Sequence, residues 1–462
     1  MQNLSCSLLL CLMLLTTACQ PQTAVNQASQ QSSSLLVFNM ADMHSGYDAY
    51  PILLSNIDQY LSTNTSSTVA FAINGDFFEA GSVVAQKSAG KLDMAFLAAL
   101  KKRGEVVFNI GNHDFDIIPM NDFIEQAHKL GIQVIGTFAS SELNTALPAY
   151  TDISVGQQTL RFIGVDTDHS GTFPAALRAN LNIPVPQDWL SQHYAQLAQD
   201  SDFTVLLSHA GLTVDQNMLD FLATQHSKPV YMLGAHDHLS LQTKINGIPY
   251  LHSTFKGQRL VVTHWQTDSD TPQLAIDNII TDFSQAGDQH FADDIAATRA
   301  QVLGPDDLSI VGTVPQDMNL TEAVGWTLQV MRNKTGADVA LFNHSSFGSG
   351  LQKGPLALYR FNQFMRFENK LMVTTVDGST LKVILDRANQ HQQTDISKLS
   401  GDFVYANIIP IQDDHKYKIV SPDWVTLPDN QLNYLGMQLN FSEVKGVTVK
   451  TLLKEALNDS TN

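Results

Sequence analysis

The sequence predicts an α/β protein of two domains, and three observations carry that expectation. Apolar runs rich in Val, Ile, Leu and Phe recur from Leu35 onward, and helically spaced apolar stretches alternate with them. Five of these runs end in Asp, Asn or His. At 462 residues the chain is long enough for two full cores, and its composition changes between Asp282 and Asp307.

The run Leu35 to Met40 leads into Asp42-Met43-His44, and a helix is expected from Pro51 to Leu61. Thr68 to Ile73 leads into Asn74-Gly75-Asp76. Lys91 to Arg103 reads as an amphipathic helix, with Leu92, Ala95, Phe96 and Ala99 on one face and Gly104 as its stop. Val106 to Ile110 is the next strand, and it opens into Gly111-Asn112-His113-Asp114-Phe115-Asp116. A helix from Asn121 to Leu130 follows, then strands at Ile132 to Gly136 and Leu160 to Val165. Phe203 to Leu207 runs into Ser208-His209, and Pro229 to Leu233 into Gly234-Ala235-His236-Asp237-His238. In open α/β sheets ligands bind beyond the carboxyl ends of the strands, so these five tips can converge although they lie far apart in sequence.

The first domain is expected over 35–285, with 286–307 as a linker holding a helical stretch from Ala292 to Leu303 that ends at Gly304-Pro305. The second domain, 308–462, reads as a strand near Leu308 to Val311, a helix from Asn319 to Asn333, strands at Val339 to Phe342 and Leu371 to Val376, and a helix from Ser379 to Ala388.

The first nineteen residues have an apolar centre, Leu8 to Leu15, too short to span a bilayer as a mature helix and suited to a signal peptide. All three cysteines, Cys6, Cys11 and Cys19, lie in this segment, so no disulfide framework is expected. Ala18-Cys19 resembles the cleavage and lipidation site of bacterial lipoproteins, which implies an exported protein, periplasmic or anchored to the outer membrane through Cys19. Thr16 and the absence of Lys or Arg before Lys87 depart from that pattern. Gln20 to Ser34 reads as a flexible tether. The formal charge of −18 argues against a non-specific nucleic-acid binder, because such affinity comes from neutralising phosphates with Lys and Arg.

The polar strand tips suit metal ions. Asp42 and His44, two apart, can reach one ion, and the Asp76 carboxylate can bridge two. Asn112 adds a neutral oxygen, and His209, His236 and His238 add imidazole nitrogens. Seven donors of mixed O and N type fit a pair of divalent ions such as Mn, Zn or Co better than one tetrahedral zinc. Two ions ~3.5–4 Å apart hold a bridging hydroxide and clamp a phosphoryl group for in-line attack.

In order and spacing, these five blocks resemble the signatures of the calcineurin-like metallophosphoesterases. Gly111 to Asp116, together with a C-terminal domain, resembles the bacterial 5′-nucleotidase and UDP-sugar hydrolase family in particular. The resemblance implies a metallophosphatase α/β sandwich with a smaller α/β C-terminal domain. It places Asp42, His44, Asp76 and His238 on one metal, and Asp76, Asn112, His209 and His236 on the other. His113 becomes the residue that stabilises phosphoryl charge, oriented by Asp116, and Asp114 is structural. Glu79 reads as a loop acid, with a place at the site mouth as the alternative, and His252, His264, Asp48 and Asp166 as ordinary surface or core residues.

In the second domain, Gly336 to Asn343 resembles the family segment that leads into Gly-Gly-Ile-Arg, whose Arg binds substrate phosphate. This chain has Ser345-Ser346-Phe347-Gly348 there, without the Arg. Arg366-Phe367-Glu368-Asn369 resembles the family's Pro-Phe-Gly-Asn, which implies base stacking on Phe367 and a base contact from Asn369, with a place in the core as the other reading of Phe367. Trp424 echoes the second stacking aromatic, and Arg366 is the stand-in expected for the missing Arg.

The expected function is hydrolysis of small phosphate monoesters, a nucleotide first among them, by a dinuclear metal centre. A phosphodiesterase or nucleotide-sugar pyrophosphatase is the alternative within enzymes. A non-catalytic ligand-binding lipoprotein is the alternative outside them, disfavoured because every motif ligand and His113 are present. Nucleic acid is not an expected partner, and a membrane is one only through the lipid anchor.

Overall fold

Two six-stranded sheets face each other in the first domain of the computed structural model, which describes residues 34–65, 67–227, 229–266, 273–393 and 395–459. The leader, Cys19 and all of the expected tether except Ser34 lie outside the described residues. No helix among the described residues is long and apolar enough to cross a membrane.

The first sheet runs in the order Gln273–Ile280, Arg259–Gln266, Ser34–Met40, Thr68–Asn74, Glu105–Asn109, Gln133–Ile135, its last four strands parallel. The second runs Ser240–Ile245, Ile248–Ser253, Tyr231–Gly234, Phe203–Ser208, Gln158–Val165, Tyr150–Val155, parallel through its central four and antiparallel at both edges. Strand alternation builds the layers, since successive side chains point to opposite faces. Leu35, Val37, Ala70, Ala72 and Val107 meet Phe162, Val205, Leu207 and Leu233 between the sheets. Leu36, Phe38, Phe71 and Phe108 face outward against Leu53, Phe96 and Phe123 of the covering helices.

The same alternation puts Asn39, Asn74 and Asn109 on the inner face at the strand ends. Buried amides need partners. Asn74 Nδ2 donates across the sandwich to the carbonyls of Ser208 (2.9 Å) and Leu233 (2.8 Å), and Asn109 Nδ2 donates to Asn74 Oδ1 (2.9 Å) and the Leu207 carbonyl (3.2 Å). The Tyr231 hydroxyl donates to Asn39 Oδ1 at 2.9 Å. These bonds pin the two sheets together at the end from which the polar tips emerge.

The second domain holds a five-stranded mixed sheet, ordered Val404–Ala406, Val339–Asn343, Lys416–Pro422, Lys370–Asp377, Ser442–Thr448. Its helix Leu320–Thr335 starts at a reciprocal cap: Glu322 N donates to Asn319 Oδ1 (3.0 Å), and Asn319 N donates to Glu322 Oε2 (2.8 Å). The helix ends on Gly336, whose φ of 61° suits a residue without a side chain. The stretch expected to link the domains is more than a connector. Helix Gln289–Val302 buries Phe291 and Ile295 in the first domain's outer core.

Candidate active site

Five of the seven expected metal donors have left-handed backbones: Asp42 (φ 50°), His44 (42°), Asp76 (51°), His236 (77°) and His238 (54°). Such conformations cost roughly 1–3 kcal/mol each outside glycine and persist only where the surroundings enforce them. Here the enforcement is local bonding. Asp42 N donates to the Gly75 carbonyl (3.0 Å) and His44 N to the Asp76 carbonyl (2.9 Å), so the first two tips are stitched together. Asp114 accepts from Gly111 N (2.6 Å), Asp76 N (3.1 Å) and Phe77 N (2.7 Å), which ties the third tip to the second. Gly75 (φ 75°) sits where a Cβ would lie 2.3 Å from His209 Nδ1, and a Cβ on Gly111 would lie 2.3 Å from Asp76 N. Backbone approach this close requires glycine at both positions.

The structure brings all seven donors together. Atoms of Asp42, His44 and His238 lie within 4.8 Å of one another, as do atoms of Asp76, His209 and His236. Asn112 Oδ1 is 3.0 Å from His236 Nδ1. Asp76 Oδ2 lies between the groups, 3.3 Å from His209 Nε2 and 3.8 Å from His44 Nε2.

The donor chemistry fits cations. His209 Nδ1 sits 2.8 Å from the Asn74 carbonyl, which fixes a ring proton on Nδ1 and aims Nε2 at the Asp76 carboxylate. That buried Nε2 has no hydrogen-bond partner. His44 Nε2 faces His238 Nε2 at 2.9 Å, so two imidazole nitrogens converge on one point beside the Asp42 carboxylate. Burial pushes the His209 pKa down, but Asp76 overrides it and raises it to about 10; burial also opposes ionisation of Asp76, and His209 and His113 still hold its carboxyl well below the usual range. A divalent cation would displace such protons.

His113 lies beside the cluster, its ring centroid 5.6 Å from that of His44, with Nδ1 2.7 Å from Asp116 Oδ2 and its backbone N donating to Asp76 Oδ1 at 2.8 Å. Burial lowers its pKa, but the Asp76 and Asp116 carboxylates raise it further, to about 9.

These residues floor a cavity of about 490 Å³ whose other wall is the C-terminal domain. Phe367 and Trp424, each 40 % exposed, line it together with Asn369, whose Nδ2 lies 3.4 Å from the Phe367 carbonyl. Two expectations change. Glu79 lies on the loop after Thr68–Asn74, but it is buried at 2 % exposure beside the site and pairs with Arg366. Arg366 is not free to stand in for the missing arginine: it donates to the Ser345 carbonyl (2.8 Å) and turns its other terminal nitrogen to Glu79 and to His44 Nδ1 (3.4 Å). His252 and Asp166 are buried as expected, bonded to the Tyr250 hydroxyl (2.6 Å) and to Thr137 N (2.6 Å).

Sequence reasoning missed His344, which bridges the domains. Its Nε2 lies 3.0 Å from the Asp237 carbonyl, its Nδ1 3.1 Å from the Phe403 carbonyl, and its ring stacks on Phe403 at 4.3 Å. It follows the strand Val339–Asn343 directly, so the rule of polar residues at strand ends would have found it.

Comparisons with known proteins agree with this architecture. A family model described as calcineurin-like phosphoesterase matches residues 35–240, and one described as 5′-nucleotidase, C-terminal domain, matches 314–406. No curated protein matches the chain significantly. Among solved structures, a 5′-nucleotidase precursor from Thermus thermophilus is similar at 16 % identity, covering 92 % of this chain and 96 % of its own, with a TM-score of 0.61. A 5′-nucleotidase from Candida albicans covers 92 % and 98 % at 14 % identity, with a TM-score of 0.59. The T. thermophilus sulfate thiohydrolase SoxB covers 92 % and 94 % at 11 % identity, with a TM-score of 0.63. At these identities the likeness to solved structures concerns the fold. The chain thus carries a calcineurin-like phosphoesterase domain followed by a 5′-nucleotidase C-terminal domain, the pairing of a phosphoester hydrolase.

Proposed function

We propose that the chain is a dinuclear metal-dependent phosphohydrolase acting on small phosphate monoesters, nucleoside monophosphates first among them. The observation that carries this reading is the pair of donor groups, Asp42, His44 and His238 beside Asp76, His209 and His236, with the Asp76 carboxylate between them. Asn112 completes the second group.

Divalent ions held by the Asp42, His44 and His238 group and the Asp76, His209 and His236 group would supply Lewis acidity to the phosphoryl oxygens and to the attacking water. The chain's own residues supply the rest. His113, charged and oriented by Asp116, stabilises negative charge growing on the phosphoryl oxygens. In the hydrolysis a water oxygen forms a bond to phosphorus, the ester P–O bond breaks, and the leaving alcohol takes up a proton. The cavity wall of the C-terminal domain selects the leaving group, with Phe367 and Trp424 as base platforms. That the matched C-terminal model and two similar structures carry the name 5′-nucleotidase favours a nucleotide. Export and the lipid anchor at Cys19 belong to the proposal on sequence grounds alone.

The test is elemental analysis of purified protein reloaded with Mn²⁺ or Zn²⁺, alongside turnover of p-nitrophenyl phosphate, nucleotides, sugar nucleotides and cyclic nucleotides. Two ions per chain are expected, with Asp76→Asn disturbing both and His44→Ala mainly one. Full activity with no more than one tightly bound ion would sink the dinuclear reading, and absence of turnover with two ions bound would favour a binding protein.

A further inference from the structure

Two guanidinium groups line the cavity, and they differ in what they are free to meet. Arg366 is buried and committed to Ser345, Glu79 and His44. A substrate anion would have to compete there with a buried carboxylate. Arg178 is held by Nε alone, which donates to the Phe173 carbonyl at 2.8 Å, and its terminal nitrogens have no protein partner among the described residues. A single tether at Nε restrains the guanidinium and leaves its outer N–H groups open, the fork that matches phosphoryl oxygens.

The loop carrying Arg178 also reaches the metal-binding residues. The carbonyl of Thr172, next to Phe173, accepts from Asn112 Nδ2 at 3.5 Å. The remaining ionisable wall offers no other guanidinium fork, His113 and His169 being imidazoles. Glu368, Asp402 and Asp423 are acidic, and both nitrogens of His344 already face carbonyls.

Building on the phosphohydrolase reading, we propose that Arg178 is the anion-recognising residue of the substrate site. Its terminal N–H groups hold phosphoryl oxygens from the phosphoesterase domain, the role left open by Ser345-Ser346 in the C-terminal domain. The phosphoryl group held is either the reacting one or a second one in a nucleoside diphosphate, and the chemistry of the contact is the same.

The test compares wild type, Arg178→Gln and Arg178→Lys as metal-loaded full chains. Inorganic phosphate binding is read by calorimetry, and kcat and KM are read on AMP and ADP. Arg178 is exposed, so thermal melting should be unchanged in both variants. If the reacting phosphoryl is held, Arg178→Gln weakens phosphate binding and raises KM for both nucleotides roughly tenfold or more, with kcat little changed. If the second phosphoryl is held, the rise appears with ADP alone. The Lys variant should fall between, keeping charge without the fork. Phosphate binding and both KM values within about twofold of wild type in Arg178→Gln overturn the assignment. A wild-type protein that binds phosphate through Arg178 yet turns over no ester would overturn the hydrolase reading and support this one.

Discussion

Arg366 of the C-terminal domain and Glu79 of the phosphoesterase domain form an ion pair with both side chains only 3 % exposed, packed against His44. Glu79 Oε2 lies 3.5 Å from His44 Nδ1, and Glu79 Oε1 accepts from Gly81 N at 2.7 Å. Glu79 and Arg366 both occupy the Nδ1 edge of the ring, which leaves the Nε2 edge turned to the metal-binding group. Burial first, and then the Arg366 charge, hold the His44 pKa well below its usual value, so the ring stays neutral. Removing one member of such a pair strands the other charge in low dielectric, at a cost of about 3–5 kcal/mol. Arg366→Met and Glu79→Gln should each lower the melting temperature. The double variant should recover part of the loss, and Glu79→Gln should weaken metal binding at the Asp42, His44 and His238 group by ~10–100-fold. Strict additivity of the two single losses would show that the residues do not act as a pair.

His113 makes no contact that requires it to ligate a metal, and its Nδ1 is taken by Asp116. His113→Ala should therefore lower kcat by about 10²–10³ with metal content intact. The pH profile gives a second reading. His113 is charged below its raised pKa of about 9, and the Asp116 bond contributes to that rise. In Asp116→Asn the folded pKa falls, so the charged fraction at mildly alkaline pH falls and the alkaline limb of the rate should move to lower pH. Loss of metals in His113→Ala would instead make this residue a ligand.

Much of the first domain was legible because its strands are buried on both faces and stand out as apolar runs, and because each functional tip follows such a run. The convergence of the candidate side chains was legible for the same reason: the structure gathers the seven expected donors and sets His113 against Asp116. Glu79 was not, because nothing in Phe77-Phe78-Glu79-Ala80 marks a carboxylate buried by a residue 287 positions later. The antiparallel edge strands Ser240–Ile245 and Gln273–Ile280 were missed as well. Both alternate buried or half-buried with exposed residues and carry no long apolar run. The inter-sheet bonds of Asn74 and Asn109 depend on a register that only the folded sandwich defines.

Away from the site, Asp93 is fully buried and accepts from the hydroxyls of Tyr47 (2.6 Å) and Tyr50 (3.0 Å). Burial raises its pKa to about 7 against the opposing pull of those hydrogen bonds. In the unfolded chain Asp93 titrates near 3.8, so between that value and about 7 the folded state binds the extra proton. This group's contribution to stability is therefore full at low pH and is lost as pH rises through about 7. Asp93→Asn keeps an amide of similar shape that never ionises. Its melting temperature should exceed that of wild type at pH 8 by a few degrees, and the gap should shrink steadily as the pH falls from about 7 toward 3.8. A difference independent of pH would assign the effect to packing.

Phe367 and Trp424 stay 40 % exposed on the cavity wall, which is unusual for large aromatics in a domain with an apolar core to accept them. Each is held from behind. Arg366, fixed by Glu79, lies 5.0 Å from the Phe367 ring centroid, and Asn430 Nδ2 donates to the Trp424 carbonyl at 2.9 Å. The Arg366 contact restrains the Phe367 ring and the Asn430 bond holds the Trp424 backbone, and base–aromatic stacking is worth about 1–3 kcal/mol per base. Phe367→Ala and Trp424→Ala should each raise KM for AMP by roughly five- to a hundredfold while leaving glycerol phosphate, which has no ring to stack, near wild type. Because Phe367 also covers the buried Arg366, the variant with Leu is the cleaner probe: it keeps apolar cover and removes only the stacking surface. If Phe367→Leu and Trp424→Ala both leave KM for AMP unchanged, the leaving group does not sit on this wall.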